Sequence, residues 1–134
     1  MTKTLLVAAL ISLGVLAARA EDAKERVFEM RTYTATHGKL DALNARFRNH
    51  TCKLFVKHGM QLVGYWVPTD GPKAENTLIY ILAFPSKEAA DKSWKAFRED
   101  QDWIKAKNDS EVNGKLVEKV ESVFMKPTDY SPLK

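Results

Sequence analysis

Three side chains suited to a binding site follow one another along a single predicted strand. Glu29, Arg31 and Tyr33 alternate with other residues, so all three point to one face of that strand. A guanidinium is a planar, permanently charged donor that suits carboxylate and carbonyl oxygens. The set therefore indicates a pocket for an anion or a carbonyl group, with Arg31 as the donor. The same residues also fit a salt-bridge network that fixes the contact between two subunits.

Four further side chains complete the predicted ligand-binding set. If the last strand pairs antiparallel with the first, Glu121 and its neighbour Lys119 lie opposite the charged face. His50 falls on the apolar face of a predicted helix, where it is either a base or a satisfied core residue. Tyr65 and Tyr80 are amphipathic and either line a cavity or fill the core. The full set is Glu29, Arg31, Tyr33, His50, Tyr65, Tyr80 and Glu121.

The sequence contains no motif of a known catalytic centre. Cys52 is the single cysteine and the three histidines are dispersed, which argues against a metal site and a Cys–His pair. There is no glycine-rich phosphate loop and no nucleophile elbow. We therefore assign no catalytic residue, expect no cofactor, and expect Cys52 to be a buried, inert thiol.

Hydropathy patterning predicts the element order β-α-β-β-α-β. The nearly all-apolar third strand is expected at the centre of its sheet. This order is that of an α+β, ferredoxin-like fold, with a four-stranded antiparallel sheet and both helices on one face. The predicted strands are 27–34, 60–67, 76–84 and 116–126, and the predicted helices are 39–58, about 87–100 and a short piece capped by Asp102.

The sheet face away from the helices is expected to be apolar. It is predicted to carry Tyr33, Val63, Tyr65 and Val67, with half of the third strand. A patch of that size is usually covered, and a second copy packed face to face would cover it. The sequence therefore predicts a homodimer. The alternative is a single domain covered by its own C-terminal tail.

Length and composition indicate one globular domain preceded by an export signal. The chain has 134 residues, of which 45% are hydrophobic and 28% charged. Residues 1–20 combine Lys3, an apolar run over 5–16 and the small-x-small end Ala18-Arg19-Ala20. We predict cleavage after Ala20, a mature domain over 21–134, and a periplasmic or secreted protein with no remaining membrane attachment. An uncleaved membrane anchor is the alternative.

Removal of that segment also removes much of the positive charge. Cleavage after Ala20 removes Lys3 and Arg19 but no Asp or Glu, so the net charge falls from +4 to +2. A balance this small argues against nucleic acid as a partner.

Three stretches resemble the NIPSNAP family. They are VFEMRTYTATHGKLDALNARFRNHT, KHGMQLVGYWVPTDGP and VESVFMKPTDYSP, which begin at Val27, Lys57 and Val120. The resemblance implies a dimeric α+β barrel, a fold that also hosts haem-degrading and quinone-forming monooxygenases. Two departures from the family pattern are His37, where many members have proline, and Phe84-Pro85, where many have a His-Lys pair. The missing histidine puts any shared pocket chemistry there in doubt.

The sequence thus leads to three hypotheses of function. The first is a periplasmic or secreted homodimer that binds a small, largely apolar ligand with one polar end, or a partner protein. The second is a cofactor-independent monooxygenase or haem-handling enzyme of the same fold. The third is a purely structural protein with a fully packed interior.

Overall fold

The computed structural model describes residues 26–134, which form one sheet and one helical layer; the predicted signal peptide lies outside the described residues. The element order is the predicted one, with the first and the second helix each in two parts. The strands are β1 (Val27–Ala35), β2 (Gln61–Trp66), β3 (Thr77–Phe84) and β4 (Val117–Met125). The helices are α1 (Leu40–Arg46), α2 (Cys52–Lys57), α3 (Lys87–Glu99) and α4 (Gln101–Ser110).

The sheet is antiparallel throughout, in the order β2-β3-β1-β4. This confirms the predicted α+β, ferredoxin-like fold. The apolar strand β3 lies between β2 and β1, as its composition predicts, and β4 forms an edge. In the β1–β4 pairing, Arg31 lies opposite Ser122 and Tyr33 opposite Val120. The predicted pairing with Glu121 is wrong by one residue, and one residue is enough to turn a side chain to the other face.

The face beneath the helices is the one that carries the polar side chains of β1. Tyr33 and Tyr65 pack against the core cluster there, around the buried Tyr80. The prediction that Tyr33 and Tyr65 lie on the uncovered face is therefore wrong. Strand alternation separates two faces, but it does not tell which one the helices cover.

The first predicted helix is interrupted by a π turn over Phe47–Thr51, between α1 and α2. A π turn uses i→i+5 hydrogen bonds, so it takes more residues per turn than an α-helix. The inward face accordingly runs through the buried Thr51 and Phe55 and leaves His50 outside it. His50 is therefore exposed, and its predicted place on the core face is wrong.

The end of α2 is a Schellman motif. Met60 donates its backbone N–H to the Phe55 carbonyl at 3.0 Å, and Gly59 donates to the Val56 carbonyl at 3.0 Å. Gly59 has φ +80°, a conformation that glycine adopts without steric penalty. Gly59 thus ends the helix next to its predicted last residue, His58, and turns the chain into β2.

An extended residue, Asp100, separates α3 from α4. Its carboxylate Oδ1 accepts a hydrogen bond from the Asp102 backbone N–H at 2.8 Å, so Asp100 rather than Asp102 caps α4. Ser86 caps α3, with its Oγ accepting from Ala89 N–H at 3.1 Å. Within residues 26–134, none of the helices has the length and hydropathy needed to cross a bilayer.

The uncovered face of the sheet is only partly shielded by the C-terminal tail. Arg26 Nη1 donates to the backbone oxygen of Lys134 at 2.8 Å, and Leu133 lies with Phe28 in one cleft. Farther along the sheet, Trp66 is 52% exposed and Val123 51% exposed. The tail therefore covers one end of this face and leaves the rest open.

Candidate functional site

Glu29 is a buried carboxylate held by three donors from three elements. Trp94 Nε1 of α3 donates to Oε1 at 2.6 Å. Arg31 Nη1 of β1 and Ser122 Oγ of β4 donate to Oε2, at 3.0 and 2.6 Å. A buried charge is tolerated when it is paired and hydrogen-bonded, which explains how Glu29 can be only 1% exposed.

Arg31 lies between two aromatic rings. Its Cζ is 4.1 Å from the centre of the Trp94 ring and 5.7 Å from that of Tyr33, both within cation–π range. Burial lowers the pKa of Arg31, but Tyr33, Tyr80 and Glu29 together raise that pKa above its usual value. Its buried Nε–H has no acceptor among residues 26–134. Arg31 is therefore a cation fixed by Glu29 and two aromatic rings.

Three tyrosines continue this cluster into the core. Tyr80 donates its hydroxyl to Tyr33 Oη at 3.0 Å, and the Tyr65 ring stacks on that of Tyr80 at 5.3 Å. Burial, followed by the proximity of Tyr33, raises the pKa of Tyr80 well above its usual value. Burial and then the neighbouring Cys52 thiol raise the pKa of Tyr65, whose hydroxyl is buried. Tyr65 and Tyr80 are therefore neutral phenols at physiological pH.

A groove of about 430 Å³ opens between β1 and the helices α3 and α4. We call it the Trp groove. Trp103 is fixed at its wall between Phe97, at 4.6 Å from ring centre to ring centre, and the Arg46 guanidinium, at 5.2 Å from the ring centre. Its main lining residues are Arg31 and Tyr33 of β1, Trp94 and Arg98 of α3, and Trp103 and Lys107 of α4.

A second cleft is larger, about 600 Å³, and lies at the end of the sheet where β3 meets α3. Arg26 is the cation that lines it, and Arg26 is already bonded to the Lys134 carbonyl. None of the predicted site residues reaches this cleft. The Trp groove is therefore the better candidate although it is smaller.

The structure brings together five of the seven predicted site residues, which are Glu29, Arg31, Tyr33, Tyr65 and Tyr80. Arg31 and Tyr33 line the Trp groove, and the other three support them from behind. His50 lies apart, in a cleft between the π turn and α4. Glu121 is exposed on the opposite sheet face, where it pairs with Lys119 at 3.1 Å.

Sequence reasoning missed the helical half of the groove. The predicted site residues include none of the four groove residues Trp94, Arg98, Trp103 and Lys107. A usable signal was present, because Trp94 and Trp103 each precede a cation by four residues, which places ring and cation on one helix face. However, the sequence of neither helix indicates that this face lies beside the corresponding face of the other helix.

The arrangement is suited to binding rather than to proton transfer. Glu29 already accepts three hydrogen bonds, and the buried phenols are neutral donors. Residues 26–134 contain no group of three or more His, Cys, Asp and Glu side chains that would hold a metal ion. The remaining features are aromatic walls, an unpaired N–H and positive charge, which together fit a flat molecule with an acceptor group.

The NIPSNAP family model matches residues 28–132, nearly all of the described chain. The chain belongs to the NIPSNAP family. A solved NIPSNAP family protein of unknown function from Agrobacterium tumefaciens is 26% identical to this NIPSNAP chain, with a TM-score of 0.71 over 83% of this chain and 96% of that one. A NIPSNAP-like domain protein from Burkholderia xenovorans is 15% identical, with a TM-score of 0.70 over 81% and 90%.

A more distant structural match is to an enzyme. SnoaB from Streptomyces nogalater, a cofactor-independent oxygenase, is 14% identical to this NIPSNAP chain, with a TM-score of 0.53 over 81% of this chain and 98% of that one. At this identity the likeness establishes the shared fold and nothing of the chemistry. Comparison with curated proteins finds no match to the chain.

Proposed function

We propose that this NIPSNAP chain is a homodimeric binding protein for a small, largely apolar molecule with one polar end. The molecule lies in the Trp groove. The observation that carries this proposal is the lining of the groove, where the aromatic walls stand beside the cations Arg31, Arg98 and Lys107. An otherwise apolar ligand would pack on the walls, and its one acceptor group would find a charged donor beside them.

The walls of the groove suit the apolar part of such a ligand. Trp94 and Phe97 are almost fully buried, and Trp103 is held in place on both sides. Rings that are already fixed lose little conformational freedom when a ligand packs on them. A volume of about 430 Å³ lies within the usual range for small-molecule sites.

The reason for proposing a homodimer is the open face of the sheet. Trp66 and Val123 are about half exposed there, and the partly buried Met30, Ile79 and Ile81 lie between them. Monomeric proteins seldom leave such a continuous apolar patch in water. A second copy related by a twofold axis would cover it with an identical surface.

Export is part of the same proposal. We place the mature protein, residues 21–134, in the periplasm or outside the cell, on the basis of the signal pattern in residues 1–20. The intact mass of the protein after expression with that segment tests this. A mass that starts at Glu21 supports export, and a mass that includes residues 1–20 contradicts it.

A cofactor-independent oxygenase is the second candidate. It is favoured by the donors at the inner end of the groove, Arg31 and the Tyr33 phenol, which would stabilise a developing oxyanion. The SnoaB-like fold is compatible with this role. On this hypothesis Tyr33→Phe abolishes turnover of a bound aromatic substrate while dimerisation persists. Loss of the dimer in that variant would instead identify the cluster as structural.

The binding function is tested by filling the groove. Asn108 is exposed on α4 and lines the Trp groove, so Asn108→Trp places a ring in the space for the ligand. Val56→Trp is the matched control, because Val56 is 58% exposed on α2 and lies outside the groove. Native mass spectrometry of gently purified protein should show extra mass on the wild type and on Val56→Trp, but none on Asn108→Trp. A wild type without extra mass, or equal occupancy in all three proteins, would contradict the proposal.

A further inference from the structure

On α3 and α4, the two helices that line the Trp groove, all but two of the cations pair with a carboxylate. Lys87, Lys92, Lys95 and Lys105 each pair with a carboxylate one turn away on the same helix. Arg98 and Lys107 make no ion pair with any of residues 26–134. The two unpaired cations are also the ones that line the Trp groove.

Each unpaired cation lies one helical turn after a tryptophan. Trp94 precedes Arg98 on α3, and Trp103 precedes Lys107 on α4, both by four residues. Residues at this spacing share a helix face. The two helical walls of the groove therefore present the same pair, a flat ring and a positive charge, and all four side chains line the one groove.

The charge of the groove is not balanced from within. Among residues 26–134, no Asp or Glu lines it. Glu29, behind it, is already paired with Arg31, so that cation contributes little net charge. Arg98 and Lys107 then leave the groove with two positive charges at its exposed rim. An anionic group fits this rim better than a neutral or cationic one.

We propose that the ligand of the Trp groove is a planar aromatic anion, whose ring packs against Trp94 and Trp103 and whose carboxylate lies between Arg98 and Lys107. This proposal rests on the binding function proposed above and adds the class of ligand. The ring gains contact with fixed aromatic surface. The carboxylate gains charge-assisted hydrogen bonds from two groups that have no anionic partner in the described part of the chain.

The test uses 2-naphthoate as the probe and its neutral isostere 2-naphthamide as the control ligand. The chain has three tryptophans, and each gives one indole N–H signal in a ¹H–¹⁵N spectrum of the folded protein. Trp94 and Trp103 line the groove, whereas Trp66 lies on the opposite face of the sheet. Titration with 2-naphthoate should shift the signals of Trp94 and Trp103 saturably and leave that of Trp66 unchanged. The amide should bind at least about tenfold more weakly, since it lacks the charge.

Two variants remove the charge, and two matched variants control for it. Arg98→Gln and Lys107→Gln should each weaken 2-naphthoate binding about fivefold, as expected for a partly solvated pair, and should weaken binding of the amide less. Lys95→Gln and Lys105→Gln remove the same charge from the same helices outside the groove and should leave the affinity unchanged. Higher salt should weaken binding of the anion alone.

The outcomes separate this inference from the function on which it rests. Equal binding of acid and amide, or equal effects of groove and control variants, would overturn the anion proposal and leave a binding groove. No saturable shift of Trp94 or Trp103 with either probe would contradict the groove itself.

Discussion

The buried Glu29 carboxylate is stabilised by the hydrogen bonds that it accepts from neighbouring side chains. Its hydrogen bond from Trp94 Nε1 is short, 2.6 Å, and joins α3 to β1 across the core. Trp94→Phe keeps most of the ring but removes this donor from a buried charge. We expect the variant to lose roughly 1.5–3 kcal/mol of unfolding free energy, the usual value for a hydrogen bond to a charged group.

Urea unfolding measures this loss, with Trp66→Phe as the control. Trp66 is half exposed and its indole nitrogen makes no hydrogen bond within residues 26–134. The control should lose clearly less stability. If the two variants lose the same amount, the bond to Glu29 contributes nothing measurable.

The polar side of this site could be predicted from single residues, and its aromatic side could not. Period-two alternation is enough to place Glu29, Arg31 and Tyr33 on one face of β1. Trp94 lies 65 residues from Glu29 in sequence, and no local pattern encodes a contact at that distance. His50 was misplaced for a related reason, since a π turn of ordinary helix-forming residues leaves little trace in the sequence.

At the scale of elements, Asp100 links the end of α2 to the start of α4. Its Oδ2 accepts from Lys57 Nζ at 2.7 Å and from His58 Nε2 at 2.6 Å, while Oδ1 caps α4. The hydrogen bonds from Lys57, His58 and the Asp102 backbone lower the pKa of Asp100 well below its ordinary value. The folded chain therefore holds this carboxylate ionised at pH values where the unfolded chain binds a proton.

Asp100→Asn isolates the effect of that charge, because asparagine is also a good helix N-cap. The lowered pKa means that the charge stabilises the fold fully above about pH 4, the ordinary Asp pKa. As pH falls below that value, the contribution declines until it is lost at the folded-state pKa. The unfolding free energy of the wild type should therefore exceed that of the variant at neutral pH and converge toward it in acid. Parallel curves from pH 7 to about pH 3 would show that the charge adds no stability.

At the scale of the whole molecule, hydropathy patterning was sufficient for the topology. The apolar composition of β3 placed it inside the sheet, and the element order determined the rest. The same patterning did not determine which sheet face the helices cover. That choice depends on volume, since the large rings of Tyr33, Phe47 and Tyr80 pack together only beneath the helical layer. The uncovered face is consequently built from other residues than expected, and it still exposes apolar area.

The proposed dimer can be tested on that uncovered face. Val123→Asp places a charge on β4 at a position that is 51% exposed in the single chain and buried if two sheets pack face to face. Val112→Asp adds the same charge at a site that is 77% exposed after α4, away from the sheet. Light scattering coupled to size exclusion should give a dimer for the wild type and for Val112→Asp, and a monomer for Val123→Asp with unchanged far-UV circular dichroism. A monomeric wild type would mean that the tail over Phe28 covers enough of the sheet for the chain to remain a monomer.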